Sequence, residues 1–176
     1  MFIQSTQTSC SLAISEQDEA FMRYALTLAD KAEAEGEIPV GAVLVDKLGN
    51  IIGEGWNQSI SLCDPTAHAE IQAVRFAAKF AKNYRLLDCT LYVTLEPCTM
   101  CAGAILHSRI GRLVFGASDY KTGAIGSRFH LFEDYKMNHF LEIRGNVLQA
   151  ECSQKISQFF KKRRLEKKRQ ISQNNI

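Results

Sequence analysis

The sequence predicts an α/β layered domain, on three observations. Helix-periodic apolar segments alternate with short β-rich runs from Ser15 onward, the order from which layered sheet-and-helix domains are built. At 176 residues, 46% of them hydrophobic and 23% charged, the chain is long and apolar enough for one domain with a sizeable core. No internal repeat interrupts it, and no apolar run approaches the ~18–20 residues that a membrane span requires.

Ser15-Glu16-Gln17-Asp18 has the form of a capping box. Phe21, Ala25, Leu28 and Ala32 follow at spacings of four, three and four, which predicts an amphipathic helix over about 15–34. Gly36 ends it and Pro39 opens the next element. Val40–Val45 and Ile51–Trp56, joined through Lys47-Leu48-Gly49-Asn50, read as a β-hairpin. A second helix is predicted from Pro65 to Ala81 with Ala67, Ile71, Val74 and Ala78 on its buried side. Thr90–Leu95 reads as a buried strand, Pro97 starts a helix to about Ser108, and Leu113–Gly116 reads as a further strand. A Gly-rich loop spans 118–127, Leu141–Arg144 is a strand, and a helix from Gln149 to about Gln170 turns Cys152, Ile156, Phe159 and Phe160 inward.

The segment before the first helix has no Lys or Arg and no long apolar stretch, so it makes a poor signal peptide. Its Ser, Thr and Gln content reads as a flexible leader. The expected organisation is a leader over 1–14, one domain over 15–170 with a basic C-terminal helix, and a tail over 171–176. Six cysteines stand at 10, 63, 89, 98, 101 and 152, and only Cys98 and Cys101 are closely spaced. Without an export signal they are expected to be reduced thiols in the cytoplasm, with no membrane association. Between Lys155 and Arg169 lie eight basic residues and one acidic residue, a net +7, which leaves the rest of the +2 chain at −5. An acidic body with a basic segment points to nucleic acid or an anionic surface.

Two segments carry chemistry, Asp64-Pro65-Thr66-Ala67-His68-Ala69-Glu70 and Glu96-Pro97-Cys98-Thr99-Met100-Cys101. Each lies where a helix is expected to begin, with Pro near its first position. Cys98 and Cys101, three apart, face one side of a helix and can reach one ion. His68 and Glu70 lie about 200° apart around a helix, so they converge only on something beyond its N-terminal end. Two helix N-termini pointing at one site follow from this. Their partial positive charge favours thiolates, and one imidazole with two thiolates suits a zinc ion that keeps a fourth position for water. Glu70, in step with a ligand but not itself a good one, is the candidate base.

Other readings compete. A Cys-x-x-Cys pair also serves structural zinc or redox chemistry, and a structural site would draw its fourth ligand from Cys63. His107, six residues past Cys101, falls on a different helix face; His130 and His139 have no partner spacing. Trp56 reads as core, and Phe159 and Phe160 at helical spacing read more readily as core than as base-stacking platforms, with at least one expected to be buried.

His-x-Glu followed by Pro-Cys-x-x-Cys is the signature of zinc nucleobase deaminases. Gly55-Trp56-Asn57, Asp64 to Glu70, Tyr92 to Ala104, His107 to Gly111 and Asp119 to Gly123 all resemble the bacterial tRNA-specific adenosine deaminases, and the likeness runs from about Glu16 to Lys168. It implies a three-layer α/β/α cytidine-deaminase-like fold with a central mixed sheet flanked by helices, one zinc per subunit, and a homodimer with active sites near the subunit interface. It also implies conversion of the wobble adenosine of a tRNA anticodon stem-loop to inosine, with arginine tRNA as the expected substrate. In that reaction zinc on His68, Cys98 and Cys101 would activate water, and Glu70 would take its proton and deliver protons to the ring and to the departing ammonia. By the same resemblance Asn57 contacts the target nucleoside and Asp119 lies near the RNA backbone. Lys161, Arg163 and Arg164 are candidate phosphate contacts. A deaminase of a free base or nucleotide on the same scaffold, and a zinc-stabilised RNA-binding module without catalysis, are the competing readings.

Overall fold

The computed structural model describes residues 15–134 and 139–174; the leader over 1–14 lies outside them. The elements run α1 (Glu16–Ala34), β1 (Gly41–Val45), β2 (Ile51–Trp56), α2 (Ala69–Ala81), β3 (Thr90–Leu95), α3 (Thr99–His107), β4 (Arg112–Ala117), α4 (Leu131–Asp134), β5 (Glu142–Arg144) and α5 (Gln149–Asn174). The strands form one sheet in the order β2-β1-β3-β4-β5. β1 pairs antiparallel with β2 and with β3, whereas β3, β4 and β5 are parallel, so the sheet is mixed.

Alternation along the strands divides the core in two. Ala42, Leu44, Leu91, Val93, Leu113 and Phe115 face one way, onto Ala69, Ala73 and Ala77 of α2 and Ile105 of α3. Val43, Val45, Tyr92 and Val114 face the other way, onto Met22, Ala25 and Leu28 of α1 and Cys152 of α5. The result is the expected three-layer arrangement, helix pair on sheet on helix pair.

Helix α1 begins as the capping box predicts, with Ser15 Oγ accepting from the Asp18 amide at 3.0 Å. Four details differ from expectation. Helix α2 starts at Ala69, not Pro65, because the Asp64 carboxylate captures both the amide and the hydroxyl of Thr66, at 2.8 and 2.7 Å, and holds 64–66 as a turn. Its fully buried residues are Ala69, Glu70, Ala73 and Ala77, while Ile71, Val74 and Ala78 are only half-buried. The cause lies in β2. A Cβ at Gly53 would stand 2.4 Å from the Ala73 carbonyl oxygen, and one at Gly55 2.1 Å from that of Ala69. The helix backbone rests directly on these glycines, where only alanine fits. Third, α5 continues past 170 to Asn174; fourth, the short α4 has no counterpart in the sequence expectation.

One buried ion pair ties the layers. Arg112 of β4 grips Asp18 of α1 through two bonds of 2.7 and 2.9 Å, Tyr92 donates to the same carboxylate at 3.0 Å, and Arg112 Nε reaches Glu142 of β5 at 2.8 Å.

Candidate active site and metal centre

The chemistry-bearing segments meet at the C-terminal ends of β3 and β4, the usual place for a site in a sheet of this kind. His68 is the N-cap of α2 and Cys98 the N-cap of α3, both with extended backbones (φ −76°, ψ 154° and φ −73°, ψ 174°) and neither making a side-chain capping bond. Each side chain is thereby thrown forward of its helix. Cys101, in the first turn of α3, is fully buried.

His68 Nδ1 lies 3.7 Å from Cys98 Sγ and 3.5 Å from Cys101 Sγ, and the three ligand atoms all fall within 4.8 Å of one another. A tetrahedral zinc with ordinary Zn–N and Zn–S lengths has N···S edges of about 3.6 Å. The donor set therefore fits one zinc ion with a fourth position open. Cys63 is exposed and stands outside this group, its sulfur 3.7 Å from the Ile60 carbonyl oxygen. His107 is exposed in the last turn of α3, and His139 bonds the Ile110 carbonyl oxygen through Nε2 at 2.6 Å.

Protonation in the group matches its ligand role. The hydrogen bond from Cys101 holds the Cys98 thiol down to about 4 against the opposing effect of burial, with His68 assisting. The same contact, then burial, pushes the Cys101 thiol far up. One thiolate and one thiol beside an imidazole become two thiolates when a divalent cation displaces the remaining proton.

Glu70, in the first turn of α2, is 4% exposed. Burial pushes its carboxyl up to about 6, and the negative Cys98 sulfur adds to the shift. It lines a cavity of about 500 Å³ together with His68 and Cys98, a volume suited to a small organic group. Asn57 and Asp119 also line this cavity. Asn57, just past β2, accepts the Ala69 amide on Oδ1 at 2.9 Å, so its amide NH2 is the end left to face a ligand. Asp119 closes its own loop, accepting the Lys121 amide at 2.9 Å and the Thr122 hydroxyl at 2.7 Å.

The chain matches the family model for the cytidine and deoxycytidylate deaminase zinc-binding region over residues 15–117. It is 77% identical over 154 residues to the tRNA-specific adenosine deaminase of Haemophilus influenzae, covering 88% of this chain and 89% of that one. The chain belongs to the tRNA-specific adenosine deaminases. A solved structure from work on A-to-I editing by tRNA:A34 deaminases at the wobble position of transfer RNA superposes with a TM-score of 0.74 at 41% identity, over 77% of this chain and 98% of that one. The guanine deaminase of Bacillus subtilis matches with a TM-score of 0.54 and 45% identity, over 57% of this chain and 64% of its own.

Helix α5 brings the remaining predicted residues of this deaminase into relation with the site. Phe159 is buried at 6% exposure and packs edge-on against Phe160 with ring centroids 5.4 Å apart. Phe160 and Ile156 line the cavity. Lys161, Arg163 and Arg164 follow directly and are exposed, with Arg163 3.8 Å from Glu166. Trp56 is half-buried, its Nε1 donating to Glu35 at 2.9 Å and its ring 3.5 Å from Lys31 Nζ. Sequence reasoning missed two buried carboxylates at the cavity, Glu37 and Glu96, which are 2% and 3% exposed. Glu37 accepts the amides of Ile60 and Ser61 at 2.9 and 2.8 Å. Backbone partners leave no pattern in a sequence; the position of Glu96 beside the Pro-Cys pair was the one available signal.

Proposed function

We propose that this chain converts the wobble adenosine of a tRNA anticodon to inosine with release of ammonia, with arginine tRNA as the expected substrate. The observation that carries the proposal is the placement of Glu70: a buried carboxyl on the wall of a cavity, beside a His/Cys/Cys group with the edges of a zinc tetrahedron. His68, Cys98 and Cys101 would hold the zinc ion, which would supply Lewis acidity toward water at neutral pH. The chain's own groups do the rest. The Glu70 carboxyl, raised to about 6, is ionised near neutrality and accepts a proton. Once protonated, it is acidic enough to return that proton to the ring nitrogen; it then carries the second water proton from the hydroxyl added at C6 to the amino group, so that ammonia leaves and the C6 carbonyl forms. Asn57 orients the nucleoside with its amide NH2, while Asp119 and its loop form the wall toward the RNA backbone.

The basic run supports RNA as the substrate class. It continues the helix whose Ile156 and Phe160 line the cavity, so Lys161, Arg163 and Arg164 follow the cavity-lining residues along one helix, which supports contact with phosphates flanking an inserted base. An anticodon loop presents a base already out of a duplex, which makes insertion cheap. Residues 15–170 act as one zinc deaminase domain. The subunits act as a homodimer in the cytoplasm. Exposed Phe76 and Phe80, four residues apart on the outer face of α2, support a partner on that side of the helix that carries Glu70. No described helix is long and apolar enough to cross a membrane.

The likeness to a guanine deaminase favours a second reading, deamination of a free base or nucleotide. Incubation with unmodified tRNA, and separately with free adenosine, guanine and cytidine, separates the two. Sequencing of the tRNA should show adenosine read as guanosine at the wobble position. Turnover of the free compounds alone would overturn the tRNA assignment.

A further inference from the structure

Glu96 carries no part of the reaction described above, yet it is one of the most heavily engaged carboxylates in the chain. It directly follows β3 and immediately precedes Pro97 and the zinc ligand Cys98. Its own amide donates to the Ala117 carbonyl of β4 at 2.8 Å, so its backbone is anchored to the sheet. The side chain accepts four backbone amides. Oε1 takes three consecutive ones, Ile125 at 2.9 Å and Gly126 and Ser127 at 3.0 Å each; Oε2 takes Asp119 at 3.0 Å. Among the described residues it has no ion-pair partner, so these amide dipoles balance its charge.

All four amides belong to one loop, 119–127, and that loop supplies Asp119, Tyr120, Lys121 and Thr122 to the cavity wall. The loop lies directly against the carboxyl group: a Cβ at Gly123 would stand 2.6 Å from Glu96 Cδ and 2.5 Å from the Asp119 carbonyl oxygen. Backbone contacts extend the attachment to the zinc-ligand segment, through a bridge between Cys98 and Gly123 and a 2.8 Å bond from the Ala124 amide to the Pro97 carbonyl oxygen. The carboxylate and these backbone contacts together join the segment that holds the metal ligands to the wall of the cavity.

We propose that Glu96 is a positioning residue for substrate: it holds the Asp119–Thr122 wall at a fixed distance from the zinc ligands, with Oε2 responsible for Asp119. This rests on the deaminase reading of the cavity. The two oxygens have separate duties, and that makes the proposal testable by a near-isosteric change. A glutamine has one acceptor oxygen and one NH2. If the oxygen keeps the three amides of 125–127, the NH2 meets the Asp119 amide donor to donor, and that end of the loop is released.

The experiment compares zinc-loaded wild-type enzyme with Glu96→Gln, on a tRNA anticodon stem-loop, measuring zinc content, kcat and KM, and amide hydrogen exchange across 98–127 without RNA. The expected result is full zinc content, kcat within about threefold of wild type and KM raised about tenfold or more, with faster exchange at Asp119–Thr122 but not at Thr99–His107. Gly123→Ala displaces the loop directly, through clashes with the Asp119 carbonyl oxygen at 2.5 Å and Glu96 Cδ at 2.6 Å; it should raise KM with zinc retained and gives the size of effect that loop displacement produces. Unchanged KM in Glu96→Gln overturns the proposal, as does zinc loss in proportion to activity, which would place the effect at the metal. The exchange measurement needs no substrate, so inactivity of wild-type enzyme on tRNA would count against the proposed function and not against this role.

Discussion

His68 and Cys98 are the N-caps of two different helices, and their side chains meet with Nδ1 and Sγ 3.7 Å apart. Neither uses its side chain to satisfy its own helix. Both helices therefore turn their N-terminal ends, with their partial positive charge, toward the same point, although the first amide of α2, that of Ala69, is taken by Asn57. The arrangement suits anionic sulfur and an electron-rich reacting group.

The enzyme should hold one zinc per chain. Cys101→Ala leaves two of the three protein ligands and is expected to weaken zinc by at least about 100-fold, read by competition with a chelator of known affinity. Zinc binding that survives this change intact would place the metal elsewhere.

Glu70→Gln preserves shape but cannot accept a proton. Turnover should fall by about 10²–10⁴ while zinc content and tRNA affinity stay at wild-type levels. Single-turnover kinetics with metal analysis would read this directly. Full activity in the variant would remove Glu70 from the mechanism, and absent activity in the wild type would favour a zinc-stabilised binding module.

The Asp18–Arg112 pair should make stability depend on acid. Burial raises the Asp18 carboxyl, but the hydrogen bonds from Arg112 and Tyr92 outweigh it and hold the group below its ordinary value. A lowered folded pKa means that the contribution is complete above the unfolded value of about 3.9 and is lost as pH falls through the folded value. Arg112→Ala, which leaves a buried carboxylate unpaired, should cost about 3 kcal/mol at neutral pH. Urea unfolding should show that deficit shrinking in strong acid, and a deficit independent of pH would mean packing, not charge, is what Arg112 contributes.

Replacing Lys161, Arg163 and Arg164 by glutamine tests the basic helix. If each meets one phosphate of a single-stranded loop, the slope of log K against log salt should flatten by about 2. Titration of tRNA binding over a range of potassium chloride gives the slope; an unchanged value would show these residues do not touch phosphate.

What the sequence determined by itself was everything that local spacing encodes. Alternation and helical periodicity set the order of elements. Pro65 and Pro97 marked the two helix starts to within a few residues, and the Cys98–Cys101 spacing with His68 named the ligand set. Only the tertiary structure decided what each face lies against. The buried stripe of α2 shifted to Ala69, Ala73 and Ala77 because Gly53 and Gly55, on another element, let the backbones touch. Asp18 looked like a capping residue, yet its carboxylate is committed to Arg112, 94 positions away. Glu96 opened the cysteine-bearing segment with no role of its own in the sequence, yet its carboxylate is bonded to a loop 23 to 31 positions downstream. The physical reason is common to all three. Periodicity records which side of an element avoids water, whereas a buried carboxylate is satisfied by distant donors, and a backbone amide has no residue type by which a sequence could reveal it.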